Sequence, residues 1–327
     1  MNTDADTVAR TQPALPAVAR LTDRVMFRIS GPKTDDFLQG QMSQNLTDVT
    51  PDYSPRAAAS TPKGRAYLLT RLVRDGDDIL LTMPGEIAED VANHLNKYLM
   101  LFRGTSMERL DDGLVLGLLG EEAAGALVDN AASLPDAPCG TLAVGDGHLV
   151  RSNPTAAALA RFELWLPTGV DQDLQQKLAP LAEASLADWT ASDIAAGVSE
   201  LGADTRESWV PQMLNWQHLD GIHFKKGCYT GQEVIARMHF LGQLKKSVYR
   251  LSALGGDVPT PGSAIVADGK SVGDVVRSIK LDDGSVQLLA VVKHASADAG
   301  LQLESNGQPL TILSLPYAVP EREQRGE

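Results

Sequence analysis

A seven-residue segment, GCYTGQE at positions 227–233, restricts the backbone more than any other part of this sequence. Two glycines, Gly227 and Gly231, bracket Cys228, and glycine tolerates the positive φ angles that tight turns need. Thr230 suits the N-cap of a helix, and Glu233, three residues later, completes a capping-box pattern. The segment therefore predicts a tight turn that carries the thiol, followed by a helix whose buried side comprises Val234, Ile235 and Met238.

Positive charge is concentrated around this segment. Residues 221–250 contain six basic side chains and one acidic side chain, a net charge of +5, whereas the whole chain has −13 and the other 297 residues have −18. The basic residues are Lys225, Lys226, Arg237, Lys245, Lys246 and Arg250. A cationic region on an acidic protein favours an anionic ligand. An isoelectric point near 4.9 argues against the broad basic face that nonspecific nucleic-acid binding requires.

Cys228 is the first candidate for chemistry. A thiol that precedes a helix N-terminus and neighbours Lys225 and Lys226 is in surroundings that favour the nucleophilic thiolate. Spacing alone leaves a second interpretation open, in which Cys228 is a small buried side chain in a tight turn. The other cysteine, Cys139, lies in a predicted loop and is expected at the surface. Two cysteines form neither a disulfide framework nor a closed metal site, so we expect free thiols, a reducing compartment and no tightly bound metal.

The segment KKGCYTGQEVIAR, residues 225–237, resembles the signature of the YgfZ-type folate-binding proteins. These are relatives of the aminomethyltransferase, or T-protein, of the glycine cleavage system. The similarity covers roughly residues 20–317 and includes three further segments: Ile29–Gln41, Thr61–Arg65 and Val210–Asn215. The resemblance implies tetrahydrofolate as the ligand and a role in maintaining iron–sulfur enzymes, including one that thiolates tRNA bases. Iron–sulfur enzymes or their assembly proteins are then the expected partners.

Hydrophobic patterning predicts an α+β fold. Strands flank a turn at residues 62–64, Asp75-Gly76 signals a hairpin, and residues 85–102 have the apolar periodicity of a helix. This order is typical of an α+β layer and not of a doubly wound sheet. After residue 245 the pattern changes to short strands and Gly-containing turns, which predicts a small C-terminal β-barrel. The resemblance implies a T-protein-like (GcvT-like) arrangement, with two α+β units around a central folate cleft.

These patterns and the resemblance together predict the domain boundaries. A folate-binding α+β domain comprises residues 20–109 and 185–244, a second α+β domain comprises 110–184, and the β-barrel comprises 245–317. Residues 1–19 are predicted to be a disordered tail, and residues 318–327 a frayed one. No apolar run approaches the roughly 18 residues of a membrane span, and the N-terminus lacks the apolar region of a signal peptide, so we expect a cytoplasmic protein.

The resemblance also implies a set of folate-binding residues. Trp189 matches a tryptophan associated with folate in this family and suits stacking on a pterin, with simple packing of a helix as the alternative. Gln212 and Asn215 are amides that suit the mixed donors and acceptors of a pterin, or that tie down loop backbone. Arg237 and Lys226 suit the carboxylates of the glutamate tail. The other predicted folate-binding residues are Tyr229, Gln232 and Glu233.

Two positions depart from the family pattern. The T-protein uses a carboxylate just after its glycine turn, and the corresponding position here is Tyr67 or Leu68. Without a base in reach, the T-protein reaction is expected to fail. Relatives commonly have Glu at the position of Ala195, so we expect either weaker pterin binding or another residue in that role.

Three functions remain open from the sequence. The leading hypothesis is a folate-binding accessory protein for assembly or repair of iron–sulfur enzymes, with Cys228 as its reactive residue. The second is a folate-dependent one-carbon transferase, similar to an aminomethyltransferase, that acts on an unknown substrate. The third is a folate sensor that acts only through protein contacts. An iron–sulfur cluster is usually held by four cysteines, and Cys228 supplies one. Direct cluster binding would therefore need ligands from a partner or a second subunit.

Overall fold

The computed structural model describes residues 7–322. In that range the strands, in chain order, are β1 (Val8–Ala9), β2 (Ala17–Arg20), β3 (Arg24–Ser30), β4 (Arg56–Ser60), β5 (Ala66–Arg71), β6 (Val73–Asp75), β7 (Asp78–Pro84), β8 (Ser106–Arg109), β9 (Leu114–Leu119), β10 (Thr141–Val144), β11 (Gly147–Ser152), β12 (Arg161–Leu166), β13 (Ala182–Ala184), β14 (Lys246–Ala253), β15 (Ala264–Ala267), β16 (Lys270–Leu281), β17 (Val286–Lys293), β18 (Gln302–Leu303) and β19 (Thr311–Leu313). The α-helices are α1 (Thr34–Gln41), α2 (Gly85–Leu99), α3 (Glu121–Gly125), α4 (Gln172–Leu178), α5 (Leu186–Ala195) and α6 (Gln232–Phe240). Over these residues, no helix combines the length and the apolar character that a membrane span requires.

The first α+β unit contains an antiparallel sheet with the order β6-β7-β3-β8 and a separate hairpin of β4 and β5. Helix α2 buries one apolar side in this unit, made of Ile87, Val91, Leu95 and Leu99. These side chains recur every four positions and so lie above one another on one side of the helix. The structure therefore confirms a helix where the periodicity predicts it, and the helix ends three residues earlier than expected.

The second unit contains a six-stranded sheet with the order β10-β11-β12-β9-β2-β13. Strand β2 is antiparallel to β9 and parallel to β13, and β1 pairs in parallel with the end of β16. The predicted disordered tail over residues 1–19 is therefore wrong for these two strands, and residues 1–6 lie outside the described range. Their partners are far away in sequence, so local composition contains no signal for them.

The C-terminal unit is an open sheet with the order β18-β15-β16-β17-β14-β19. Its end strands have only two and three residues and do not pair with each other in the described part of the chain. The predicted small β-barrel is therefore corrected to a half-barrel. The predicted frayed tail is ordered as far as Arg322, whose Nε donates a hydrogen bond to Ser247 Oγ at 3.4 Å, and residues 323–327 lie outside the described range.

Helix α5 lies where the three units meet. Ser185 caps it, because its hydroxyl accepts from the backbone N–H of Asp188 while the Asp188 carboxylate accepts from that of Ser185. The chain leaves the helix through Gly197, at φ +69°, where a Cβ would lie 2.5 Å from the hydroxyl of Tyr317. Helix α5 therefore ends at Ala195, and the C-terminal segment packs over its end.

Candidate functional site

The cysteine loop, residues 224–231, connects a pair of 3₁₀ turns to helix α6. Cys228 is exposed on this loop. The capping box predicted from Thr230 is not present, because the helix begins after Gly231, which has φ +85°, without a side-chain cap. Thr230 instead donates its backbone N–H to the carbonyl of Gly40 at 3.0 Å. Ile235 is fully buried, while Val234 and Met238 of the predicted stripe are half-buried.

Two glycine turns meet directly beneath the cysteine loop. A Cβ at Gly231 would lie 2.7 Å from the carbonyl oxygen of Thr61, and a Cβ at Gly64 would lie 2.8 Å from the Cβ of Val234. Both glycines also have left-handed φ angles, +85° and +72°. Only glycine satisfies the conformation and the close approach at once. The resemblance identified both segments, and the structure shows that they are in contact.

Lys226 is buried beneath the loop. Its ammonium donates hydrogen bonds to the carbonyl oxygens of Gln39 at 2.7 Å and Met42 at 2.6 Å, at the end of α1, and lies 4.8 Å from the ring centre of Tyr229. Burial lowers the pKa of Lys226 to about 7, whereas the two carbonyls favour the charged form. The side chain thus fastens the loop to α1, and binding a folate carboxylate would require it to leave these partners.

The other predicted site residues are of two kinds: amides that hydrogen-bond to the backbone of neighbouring segments, and charged side chains that are exposed. Gln212 Nε2 donates to the carbonyl of Ile235 at 2.6 Å, and Asn215 Nδ2 donates to that of Val248 at 3.0 Å. Gln232 Oε1 accepts from the backbone N–H of Tyr229 at 3.3 Å. Gln212 and Gln232 therefore hold α6 and the loop in place, whereas Asn215 ties the 3₁₀ turns to β14. The exposed charged side chains of residues 225–237 are Lys225, Glu233 and Arg237.

Trp189 is fully buried in the second unit. Its ring packs on Gly117, where a Cβ would lie 2.3 Å from the indole, and the Arg161 guanidinium lies over the ring at 4.3 Å. Tyr67 is also buried, with its ring edge-on to His94 at 4.8 Å. Neither side chain lines the small cavity that lies between the three units. These placements favour the packing role of Trp189, and pterin stacking there stays a prediction.

A small cavity lies where the three units meet. Its volume is about 40 Å³. Its walls include Trp216 and seven charged residues: Arg24, Arg56, Arg71, Glu163, Asp193, Glu200 and Arg277. Sequence reasoning missed this set because its members are scattered along the chain. The available signal was a charged residue inside an otherwise apolar strand, as for Glu163 in RFELWL, since charged side chains are rarely buried unless they are paired.

Most of the charged side chains that line the central cavity form ion pairs with one another. Arg71 Nε lies 3.0 Å from Glu163 Oε2, and Asp193 Oδ2 lies 3.3 Å from Arg24 and 3.2 Å from Arg277. Burial raises the pKa of Glu163, but the charges of the surrounding arginines outweigh burial and leave that pKa well below its ordinary value. At Asp193, too, burial raises the pKa, but the charges of the neighbouring arginines outweigh burial and lower the pKa. Both carboxylates are therefore ionised and held by arginines.

Cys139 contradicts its prediction as a surface residue. It is buried, with 1% exposure, and its sulfur accepts a hydrogen bond from Arg71 Nη1 at 3.6 Å. Its carbonyl accepts from the backbone N–H of Ser54 at 2.8 Å. The loop at residues 136–140 is thus drawn under the first unit by long-range hydrogen bonds, which turn chemistry alone does not reveal.

Comparison with known proteins agrees with the cysteine segment. No protein-family model matches the chain. The tRNA-modifying protein YgfZ of Cronobacter sakazakii (strain ATCC BAA-894) is 32% identical over 324 residues, which cover 95% of this chain and 97% of that protein. The chain belongs to the YgfZ family. The YgfZ protein of Yersinia enterocolitica is 30% identical, with 92% of each chain covered.

A solved structure establishes what the YgfZ fold resembles. The aminomethyltransferase T of the glycine cleavage system from Bartonella henselae superposes with a TM-score of 0.73 at 19% sequence identity, and the match covers 94% of this chain and 87% of that one. At this identity the likeness concerns the fold alone. The predicted T-protein-like fold is confirmed at that level, while the domain boundaries stay predictions.

Proposed function

We propose that this YgfZ-family protein is a folate-binding accessory protein that supports tRNA modification by maintaining iron–sulfur enzymes, with Cys228 as its reactive residue. The name shared by its relatives supports the link to tRNA modification. The observation that carries the chemical part is an exposed thiol on a loop that hydrogen bonds of Lys226 and Gln232 hold in place. In this arrangement the loop presents Cys228 to a partner.

The geometry favours this role over a turn-shaping cysteine. Gly231, at φ +85°, gives the loop its tight turn, whereas Gly227 has no left-handed φ angle. The buried side chains below the loop are Lys226 and Ile235. A cysteine that serves only packing is normally among the most buried side chains. Cys228 is exposed, so packing gives no reason for a thiol at this position.

The central cavity is the candidate folate site, and its fit is partial. Pockets for small molecules typically have volumes of roughly 300–1,000 Å³, so a pterin enters this cavity of about 40 Å³ only if side chains at its rim move apart. Glu200 is the most exposed of the seven charged wall residues, and its ion-pair distances to Arg277 and Arg24 are long, 3.4 and 3.9 Å. We assign Glu200 the pterin-pairing role for which Ala195 lacks a carboxylate.

The alternative of a one-carbon transferase has less support. Tetrahydrofolate would supply the one-carbon carrier, but a transferase also needs a free base beside it. Tyr67 packs against His94, and the buried carboxylates Glu163 and Asp193 are held by arginines. The third alternative, a folate sensor, predicts that Cys228 is dispensable, and the following experiment separates it from the proposal.

A pair of cysteine variants tests the proposal. Cys228→Ser is expected to keep the free energy of unfolding and tetrahydrofolate binding but to fail to restore tRNA thiolation in a deletion strain. Cys139→Ser is the matched control: it disturbs the contact with Arg71 and is expected to lose about 1 kcal/mol of stability while restoring thiolation. Full restoration by Cys228→Ser would leave the thiol without a chemical role, and absence of calorimetric folate binding would remove the folate part.

A further inference from the structure

The central cavity contains hydrogen-bond donors that have no acceptor. Among residues 7–322, no hydrogen-bond partner is present for Nε and Nη2 of Arg56 or for Oγ of Ser199, and both residues line the cavity. Nε of Arg24 also makes no hydrogen bond, but it lies 3.9 Å from the carboxylate of Asp23. The Trp216 indole N–H also lacks a partner, but it lies against Gly221. Every unpartnered side-chain atom of the cavity wall is therefore one that can donate. Buried polar groups are normally satisfied, so such a set indicates a missing acceptor.

The charges of the cavity walls also indicate that an anionic acceptor is missing. The walls contribute four arginines but only three carboxylates. Glu163 pairs with Arg71, and Asp193 pairs with Arg24 and Arg277, whereas Arg56 has no ion pair among the described residues. The unbalanced positive charge is thus on Arg56.

Arg56 has only weak compensation for its burial. It is 5% exposed, and its guanidinium lies 5.7 Å from the ring centre of Trp216, a long cation–π contact. Burial, followed by repulsion from Arg71, lowers the pKa of Arg56 to about 10. A buried guanidinium without an anion is costly to the folded state. An anionic acceptor that binds here removes that cost.

We propose that the central cavity is a receptor for one carboxylate group, which binds to Arg56 and Ser199. A water molecule needs about 10–15 Å³ of such a volume, so about 40 Å³ holds a group the size of formate but not a large anion. Guanidinium and carboxylate match in shape and charge, which gives paired hydrogen bonds. The source is either a free small carboxylate or the glutamate end of a folate, which would then enter this cavity by its tail instead of by its pterin.

Formate tests the receptor in folate-free protein, so the result does not depend on the proposed folate binding. Sodium formate is titrated into the protein, and sodium chloride at equal ionic strength serves as the control. The readouts are the melting temperature and the calorimetric heat of binding. Wild type is expected to bind formate and to melt at a higher temperature as formate increases. Arg56→Met is expected to lose at least about tenfold in formate affinity and to melt at a higher temperature than wild type without formate, since an unpaired buried charge has been removed.

Two further variants keep the test decisive. Ser199→Ala retains the guanidinium and is expected to weaken formate binding severalfold with little change in fold. Arg109→Met removes an exposed arginine with the same loss of charge and is expected to respond to formate like wild type. An equal formate response in wild type, Arg56→Met and Ser199→Ala, or no response in any of them, overturns the proposal.

A comparison of tetrahydrofolate with 6-methyltetrahydropterin, which carries no carboxylate, identifies the source. If formate binding depends on Arg56 and Arg56→Met leaves the affinities for both pterin compounds unchanged, the receptor takes a free small carboxylate. If Arg56→Met weakens the binding of formate and of tetrahydrofolate but not that of the methylpterin, the receptor takes the carboxylate of a larger ligand. If Arg56→Met weakens the methylpterin as strongly as tetrahydrofolate, or if formate binding does not depend on Arg56, the carboxylate receptor does not exist.

Discussion

The ammonium of Lys226 lies 2.6 Å from the carbonyl oxygen of Met42, a residue 184 positions earlier in the chain. Together with the bond to Gln39, this contact anchors the cysteine loop to the end of α1. Carbonyls at a helix C-terminus lack intrahelical donors and carry partial negative charge, so a buried ammonium satisfies both needs. The position of the exposed thiol is therefore set by a distant part of the sequence.

Replacement of Lys226 measures this anchor. Lys226→Met keeps the length of the side chain but removes both hydrogen bonds, and it is expected to lower the free energy of unfolding by about 2 kcal/mol. Lys225→Met is the control, because Lys225 is exposed next to it, and it is expected to change stability by less than about 0.5 kcal/mol. Urea unfolding compares the two variants. Equal stability would show that the anchor contributes nothing.

The contact between the two glycine turns is tested at Gly231. Gly231→Ala adds both left-handed strain and a clash with the Thr61 carbonyl, so a loss of more than about 2 kcal/mol is expected. Gly269→Ala is the matched control: its φ is +69°, but nothing lies within 4 Å of the added Cβ, so only the strain of about 1 kcal/mol remains. Thermal unfolding of both variants measures the difference. If the two losses are the same, the turns are not in close contact.

The ion pairs of the central cavity predict a large effect at Glu163. Glu163→Gln leaves Arg71 without its carboxylate partner in a buried site, and a loss of about 3–5 kcal/mol is expected. Glu108→Gln, on the exposed strand β8, is expected to stay within about 0.5 kcal/mol of wild type. Chemical denaturation gives both values. A small cost at Glu163 would mean that the arginine pairs are not formed as described.

Acid should weaken the anchor of the C-terminal segment. Burial raises the pKa of Glu321, but hydrogen bonds from His218 and Gln217 more than reverse this and lower it from 4.5 to about 2. A lowered pKa in the folded state stabilises the protein above the unfolded value and loses that effect as pH falls through the folded one. The stability difference between wild type and Glu321→Gln is therefore expected to be constant above pH 5 and to shrink steadily from about pH 4.5 downward. Urea midpoints at pH 6, 4.5 and 3.5 follow it, and a difference independent of pH would contradict the assigned contact.

What the sequence could predict depended on how local each signal was. Helix α2 follows from side chains four residues apart, and the cysteine loop follows from one contiguous motif. Strand β2 is held by β9 and β13, which are distant in sequence, so its short apolar pattern was indistinguishable from a tail. Burial of Cys139 depends on Arg71 in the same way. The family resemblance supplied the fold but not the central cavity, because its charged residues become neighbours only after the three units have packed together.

The ion pairs between units have a consequence for synthesis on the ribosome. Arg71 emerges well before its partner Glu163, and Asp193 emerges before Arg277, so each early unit is made with charges that later units must neutralise. The N-terminal strand β1 likewise waits for the end of β16. These contacts between units can therefore form only after the later partner has been translated, and for β1 that partner ends at Leu281.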